Sequence, residues 1–178
     1  GLGDVYKREV AAELYIFYVR STAEIREIPL LIAEQVLTEK EEKLRKDMDL
    51  HGLHVLLAED NDLNAEIAVS LLEEQGMIVT RAADGKSALL QFCNTAPGTF
   101  DLILMDIMMP EMNGYETTKA IRNLPDRPDG KEIPIIAMTA NAFAEDVQAA
   151  LDAGMDDHVA KPMDMDILIS AIEKCVKR

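Results

Sequence analysis

The sequence is poor in several kinds of residue that particular classes of protein need. Its 178 residues include no tryptophan, and 18 basic residues stand against 33 acidic ones, for a formal net charge of −15. Such a charge argues against direct binding to nucleic acid, because the phosphate backbone would be repelled. The two cysteines, Cys93 and Cys175, lie far apart in the sequence. They predict unbridged thiols in a reducing, cytoplasmic compartment rather than a disulfide framework.

Long apolar runs are also missing. No stretch approaches the roughly 18 residues of a membrane-spanning helix, and the sequence does not start with a basic region followed by an apolar one. We therefore expect neither a membrane span nor a secretory signal in this fragment, and any membrane or sensor domain would lie outside it. The sequence does contain 48% hydrophobic residues, which is enough for a packed core.

The first 50 residues differ in composition from the remainder. They carry 11 acidic and 8 basic residues, whereas residues 51–178 carry 22 acidic and 10 basic ones. Apolar residues recur near helical spacing around Leu14 and again around Ile28, which favours two helices with Pro29 as the break, although residues 14–19 would suit a strand equally well. We predict that residues 1–50 form a mainly helical segment or linker and residues 51–178 a separate domain.

From Leu53 onward, short apolar runs alternate with amphipathic segments of helical length. This alternation favours an α/β fold in which a parallel sheet is covered on both faces. We predict five strands, at Leu53–Ala58, Ile78–Arg81, Leu102–Met105, Ile135–Met138 and His158–Ala160. We also predict five helices, at Asp62–Gln75, Lys86–Asn94, Gly114–Asn123, Ala144–Ala153 and Met165–Val176.

Four of the predicted strands lead directly into polar residues. Glu59 and Asp60 follow the first strand and Asp106 follows the third, while Thr139 and Lys161 follow the fourth and fifth. Open α/β sheets bind their ligands at the carboxyl ends of the strands. If the first and third strands are neighbours, the three acids converge, and their repulsion would raise carboxyl pKa values unless a cation were present. Mg²⁺ is the natural occupant, because it prefers hard oxygen ligands.

This set of side chains suits the transfer of a phosphoryl group to a carboxylate. Asp106 could attack phosphorus and form an acyl phosphate, while a metal, the Lys161 ammonium and the Thr139 hydroxyl offset charge on the transferring oxygens. Each residue taken singly has an ordinary explanation; Asn61 or Asp62, for example, could simply cap the next helix. The joint placement of the set at the strand ends is what favours a functional site.

The segments that contain these residues resemble the receiver domain of response regulators in two-component signalling. The resemblance spans residues 52–176 and is carried by Ala58-Glu59-Asp60-Asn61, Leu104-Met105-Asp106-Ile107-Met108-Met109-Pro110, Met138-Thr139-Ala140 and Lys161-Pro162. It implies a flavodoxin-like (CheY-like), doubly wound sheet of five parallel strands in the order 2-1-3-4-5. The residues flanking Glu59 and Thr139 are most similar to receivers of bacterial hybrid sensor histidine kinases.

The resemblance also implies a role for each matched residue. Asp106 is the phosphoacceptor, Thr139 switches towards the phosphoryl group, and Lys161 pairs with it. The ligands of Mg²⁺ or Mn²⁺ would be Asp60, Asp106, the Met108 backbone carbonyl and, through water, Glu59. The donor would be a histidine of a kinase or of a phosphotransfer domain. The chain would then catalyse its own phosphorylation and dephosphorylation, without kinase catalytic domains in this fragment.

Other functions fit the sequence less well. A haloacid-dehalogenase-like phosphatase has a second acid two residues after its nucleophile, where this chain has Met108. A flavin-binding module would need a phosphate-cradling loop after the first strand, where Glu59 and Asp60 would repel phosphate. The remaining alternative is a phosphorylation-independent binding module that forms a homodimer through its N-terminal helices. The same apolar spacing would also suit a segment that folds back onto its own domain.

One position departs from the family pattern. Many receivers carry a switching Tyr or Phe three residues before the lysine, where this chain has His158. The histidine could act as a pH-sensitive substitute or could simply be a polar residue at the rim of the site.

Overall fold

The computed structural model describes residues 50–140 and 144–176, and the helices predicted for the N-terminal segment fall outside this range. Five parallel strands form one sheet in the order β2-β1-β3-β4-β5, which confirms the predicted topology. The strands are β1 His54–Ala58, β2 Ile78–Ala82, β3 Leu102–Asp106, β4 Ile135–Thr139 and β5 Asp157–Ala160. No helix in these two ranges is long and apolar enough to cross a membrane.

A helix follows each strand in the described part of the chain. The helices are α1 Asp62–Glu74, α2 Gly85–Asn94, α3 Gly114–Arg122, α4 Ala144–Ala153 and α5 Met165–Val176. Predicted and observed ends of strands and helices agree to within one residue. A short 3₁₀ helix at Pro128–Lys131, which the sequence did not predict, lies between α3 and β4. Cys93 on α2 and Cys175 on α5 are not joined by a disulfide, as expected.

The central strands are buried on both faces. Every residue of β3 and β4 is buried, as are four of the five residues of β1. Because successive side chains of a strand point to opposite faces, helices must cover both sides of the sheet. The core cluster includes Leu56, Phe92, Ile103, Ile121 and Ile135. The polar residues at the strand ends therefore stand on a closely packed base.

Arg122, the last residue of α3, connects the amino-terminal ends of β4 and β5. Its Nη2 atom lies 2.9 Å from Oδ2 of Asp156. Its other guanidinium nitrogens donate at 2.7–2.9 Å to the backbone carbonyls of Gly130, Ile133 and Gly154. Burial lowers the pKa of Arg122, and the neighbouring Asp156 carboxylate partly offsets that effect. The side chain thus satisfies one acid and three carbonyls at the edge of the sheet opposite the predicted site.

We expect Arg122→Met to reduce the free energy of unfolding by about 2–4 kcal/mol, because Asp156 loses its cation and three carbonyls lose a donor. Urea denaturation would measure this change. Lys119→Met is the matched control, since Lys119 is an exposed cation on the same helix and its loss should change the free energy by less than about 0.5 kcal/mol. Equal effects of the two substitutions would contradict the proposed role of Arg122.

Arg127 and Asp129 fasten the loop after α3 to the end of α2. Two guanidinium nitrogens of the buried Arg127 contact the two carboxylate oxygens of Asp129 at 2.9 and 2.8 Å. A third nitrogen donates to the carbonyls of Phe92 and Thr95. The guanidinium carbon also lies 4.1 Å from the centre of the Phe92 ring. The hydrogen bonds from Arg127 lower the pKa of Asp129 to about 2.

This pKa shift predicts a pH dependence of stability. Because the folded-state pKa of about 2 lies below the ordinary value of 3.8, the contribution of Asp129 is present above about pH 4 and is lost as the pH falls towards 2. We expect Asp129→Asn to reduce the free energy of unfolding by about 1–2 kcal/mol at pH 6 and by less at pH 3. Urea denaturation at both pH values would test this. For Asp126→Asn, at an exposed position of the same loop, the difference in free energy of unfolding from the wild type should be the same at both pH values.

Candidate functional site

The ends of four strands bring the predicted site residues to one edge of the sheet. Asp106 and Thr139 are the last residues of the neighbouring strands β3 and β4, and both are buried. The Lys161 backbone N–H donates to the Thr139 carbonyl at 2.7 Å, which holds the end of β5 against β4. Glu59 and Asp60 directly follow β1, on the other side of β3. The fold therefore places the predicted acids, hydroxyl and amine on adjacent strand ends.

The three acids form one cluster. Carboxylate oxygens of Glu59, Asp60 and Asp106 all lie within 4.8 Å of one another. Glu59 is 2% exposed and Asp106 is 4% exposed, whereas Asp60 is exposed to solvent. Two buried carboxylates at this separation need compensating positive charge.

Lys161 supplies part of that charge. Its Nζ atom lies 2.7 Å from Oδ2 of Asp106 and 2.7 Å from Oε2 of Glu59. Burial alone would lower the pKa of Lys161, but its hydrogen bonds to the two carboxylates outweigh burial and raise the pKa. The lysine is therefore a cation that bridges the two buried acids.

Asp106 has an environment of its own. Burial raises its pKa, while the Lys161 hydrogen bond and the Met108 backbone N–H, which donates to Oδ1 at 3.1 Å, act in the opposite direction. Met108 is 77% exposed, and it contacts the Asp106 carboxylate through its backbone N–H. Each oxygen of Asp106 accepts one hydrogen bond from these two donors, so each keeps a lone pair for further chemistry.

The composition of the cluster fits a divalent cation. Three carboxylates face a single ammonium, so an excess of negative charge remains when all three acids are ionised. Closely spaced carboxylate oxygens are the hard ligands that Mg²⁺ and Mn²⁺ favour. The Met108 carbonyl as a further ligand remains a prediction.

Two residues next to the cluster were not predicted from the sequence. Asn64 of α1 donates its side-chain amide to Oε1 of Glu59 at 3.2 Å. Arg81 of β2 donates to the Glu59 backbone carbonyl at 3.3 Å and to the Asp62 carboxylate at 2.6 Å. Asn61, one of the two caps that the sequence suggested, is the N-cap of α1. Nothing in the sequence pattern signalled that Asn64 would reach back to Glu59.

A cavity of about 290 Å³ borders the cluster. Its polar lining residues include Glu59, Asn64 and Lys161, and its apolar ones include Ile67, Met138 and Met163. Because Glu59 and Lys161 belong to the candidate site, the cavity adjoins that site.

The loop from β3 to α3 packs closely against the end of β3 at Asp106. Met112 N–H donates to the Pro110 carbonyl at 2.7 Å, which closes a γ-turn around Glu111 with φ of 63°. Gly114 lies so close that a Cβ atom there would be 2.3 Å from the Asp106 carbonyl oxygen. The loop can approach the end of β3 in this way only with glycine at position 114.

His158 lies on β5, opposite Ala137 of β4, and is about one-third exposed. Its Nδ1 atom is 3.6 Å from the Asp157 carboxylate.

Residues 55–173 match the response regulator receiver domain, which is two-thirds of the chain. The chain belongs to this family. It is a receiver domain of the two-component phosphorelay type, as the sequence resemblance predicted.

Curated relatives confirm the resemblance to histidine kinase receivers. The receiver domain is 41% identical over 128 residues to the aerobic respiration control sensor protein ArcB of Escherichia coli. This match covers 72% of the present chain but only 16% of ArcB. The chain therefore spans about one-sixth of the length of this relative.

Solved structures have the same fold. One is the receiver domain of a sensor histidine kinase from Pseudomonas aeruginosa, which has a magnesium ion coordinated in its active site cleft. It is 35% identical with a TM-score of 0.63, over 71% of this chain and 99% of the other. Another is the Saccharomyces cerevisiae response regulator Ssk1, whose receiver was crystallised with the histidine phosphotransfer protein Ypd1. It is 27% identical with a TM-score of 0.61, over 71% of this chain and 91% of the other.

The γ-turn in the receiver predicts a difference between two small residues at one position. Glu111→Gly and Glu111→Ala both remove the carboxylate, but only glycine adopts a positive φ without a steric cost to Cβ. We expect the glycine variant to be more stable than the alanine variant by about 1 kcal/mol, measured by urea denaturation. Equal stability would mean that the turn carries no strain.

Proposed function

We propose that Asp106 of this receiver accepts a phosphoryl group from a phosphohistidine, in a reaction that requires Mg²⁺ or Mn²⁺. The observation that supports this most directly is the Asp106 carboxylate itself. It is buried at the end of β3, contacts Lys161 at 2.7 Å, and lies within 4.8 Å of two further acids. A nucleophilic carboxylate beside a cation and a candidate metal site is the arrangement that phosphoryl transfer to aspartate requires.

The chemical step exchanges one bond for another. A carboxylate oxygen of Asp106 attacks phosphorus and forms an O–P bond, while the N–P bond of the phosphohistidine breaks and the imidazole leaves with its electron pair. The product is an acyl phosphate on Asp106. Water can later attack the same phosphorus and release inorganic phosphate, so the receiver catalyses its own modification and its reversal.

The residues around Asp106 provide positive charge and hydrogen bonds for the transferring oxygens. Lys161 is held beside Asp106 before the reaction and can pair with a phosphoryl oxygen afterwards. Thr139, the last residue of the adjacent strand β4, would offer its hydroxyl to another phosphoryl oxygen. Asp60, Asp106 and the Met108 carbonyl would hold the cation, with Glu59 assisting through water. The bound cation supplies further positive charge towards the phosphoryl oxygens.

Addition of the phosphoryl group would shift the receiver between two conformations. The modification adds a strong dianionic acceptor next to Lys161 and Thr139, and both residues immediately precede segments that lead into helices, α5 and α4 respectively. A reorientation of the two side chains would repack the surface near these helices and change partner binding.

The partner class follows from the donor chemistry. A receiver that takes its phosphoryl group from histidine must dock with a histidine kinase or a phosphotransfer protein, and the complex of Ssk1 with Ypd1 shows one relative doing so. We further propose a cytoplasmic location and a place within a larger hybrid kinase for residues 51–178. Residues 1–50 would form a helical segment or linker that could support a homodimer.

The first test is intact-mass spectrometry after incubation with acetyl phosphate. We expect a single phosphoryl adduct that requires Mg²⁺, disappears with a chelator and is absent from Asp106→Asn. Asp126→Asn, which removes an exposed acid away from the cluster, should be labelled like the wild type. Failure of the wild type to react, with acetyl phosphate and with a cognate phosphotransfer protein, would favour the phosphorylation-independent binding module.

A further inference from the structure

Glu59 is held more tightly than the other two acids of the cluster. Its Oε1 atom accepts two hydrogen bonds, from the Asn61 backbone N–H at 3.3 Å and the Asn64 side-chain amide at 3.2 Å. Its Oε2 atom accepts from Lys161 at 2.7 Å. The two oxygens therefore have different partners. Oε1 bonds to the start of α1, and Oε2 bonds to Lys161, which also contacts Asp106.

The first turns of α1 and α3 differ in the residue that accepts the backbone N–H of the N-cap asparagine. Both helices have asparagine as N-cap, and each asparagine side chain accepts from the backbone N–H three residues later. In α3 the third residue, Glu116, accepts the N–H of Asn113 at 3.1 Å and completes a capping box. In α1 that acceptor role has passed to Glu59, and the third residue is Asn64, a donor.

The residue type at position 64 matters because Glu59 is almost completely buried. A carboxylate at this position, as in α3, would compete for the Asn61 N–H and place a fourth negative charge beside the cluster. An apolar side chain would leave Oε1 with a single donor. An amide supplies a neutral donor and keeps the carboxylate oriented.

We propose that Asn64 is a positioning residue for the acid cluster, which fixes the orientation of Glu59 and thereby sets the affinity of the cluster for a divalent cation. The proposal rests on the function proposed for the cluster. Groups that hydrogen-bond to a metal-binding carboxylate typically change metal affinity by about 10–100-fold when they are removed. Asn64 lies at the exposed surface of α1, and Glu59 would assist the cation through water rather than bind it directly, so the expected effect is near the lower limit of that range.

The test is a calorimetric titration of the unphosphorylated protein with MgCl₂. Asn64→Leu keeps the number and branching of the side-chain heavy atoms but has no donor, and Asn64→Ala removes the side chain beyond Cβ. We expect both to raise the Kd for Mg²⁺ about 10-fold. Asn94→Leu, an asparagine-to-leucine change at an exposed position on α2, is the control and should bind Mg²⁺ like the wild type.

A second measurement separates positioning from a general loss of structure. The rate of phosphorylation by acetyl phosphate is followed as a function of Mg²⁺ concentration. If Asn64 acts through the cation site, the half-saturating Mg²⁺ concentration rises about 10-fold while the rate at saturating Mg²⁺ stays within about twofold of the wild type. A lower rate at every Mg²⁺ concentration, with unchanged Kd, would overturn the proposal in favour of a structural role.

The outcomes also distinguish this inference from the function on which it rests. If the wild type binds Mg²⁺ and is phosphorylated, but both Asn64 variants bind Mg²⁺ within twofold of it, the inference fails and the proposed function stands. If the wild type neither binds Mg²⁺ at millimolar concentration nor forms an adduct, both fail.

Discussion

The interaction on which the site depends is the contact of one lysine with two buried carboxylates. Glu59 and Asp106 project from the ends of adjacent apolar strands, where they have lost most of their hydration. Lys161, at 2.7 Å from both, supplies the positive charge that two buried carboxylates need so close together. One ammonium cannot balance three acids, however. The remaining negative charge favours the binding of a further cation, which a cluster of zero net charge would attract less.

Strands β4 and β5 of the sheet that carries these charges are joined at both of their ends. Arg122 joins the amino-terminal ends of β4 and β5 through Asp156 and three carbonyls, and Lys161 joins their carboxyl ends through its backbone N–H to Thr139. All residues of β3 and β4 are buried. A packed sheet of this kind deforms little, so a change in charge at Asp106 must be absorbed by the connections after the strands rather than by the strands themselves.

The sequence predicted the fold, and the placement of the acids, the threonine and the lysine on adjacent strand ends, because several local signals coincide. Asn61 caps α1 directly after an apolar run that ends in two acids, so the hydrophobic period and the helix cap agree there. The 3₁₀ helix at Pro128–Lys131 was missed because so short an element has no periodicity. The partners of Arg122 and Asn64 were missed for a different reason. Their contacts are with backbone carbonyls and with a carboxylate oxygen whose positions exist only after folding.

The cations near the site also determine which acids belong to it. Asp62 follows the cluster by only two residues, but Arg81 contacts its carboxylate at 2.6 Å and the Glu59 carbonyl at 3.3 Å. The Asp62 side chain is 92% exposed, so this ion pair contributes little to stability, on the order of 0.2–1 kcal/mol. Its effect is one of orientation, since it draws the carboxylate towards β2. A fourth acid is thereby paired with its own cation, and the cluster consists of Glu59, Asp60 and Asp106.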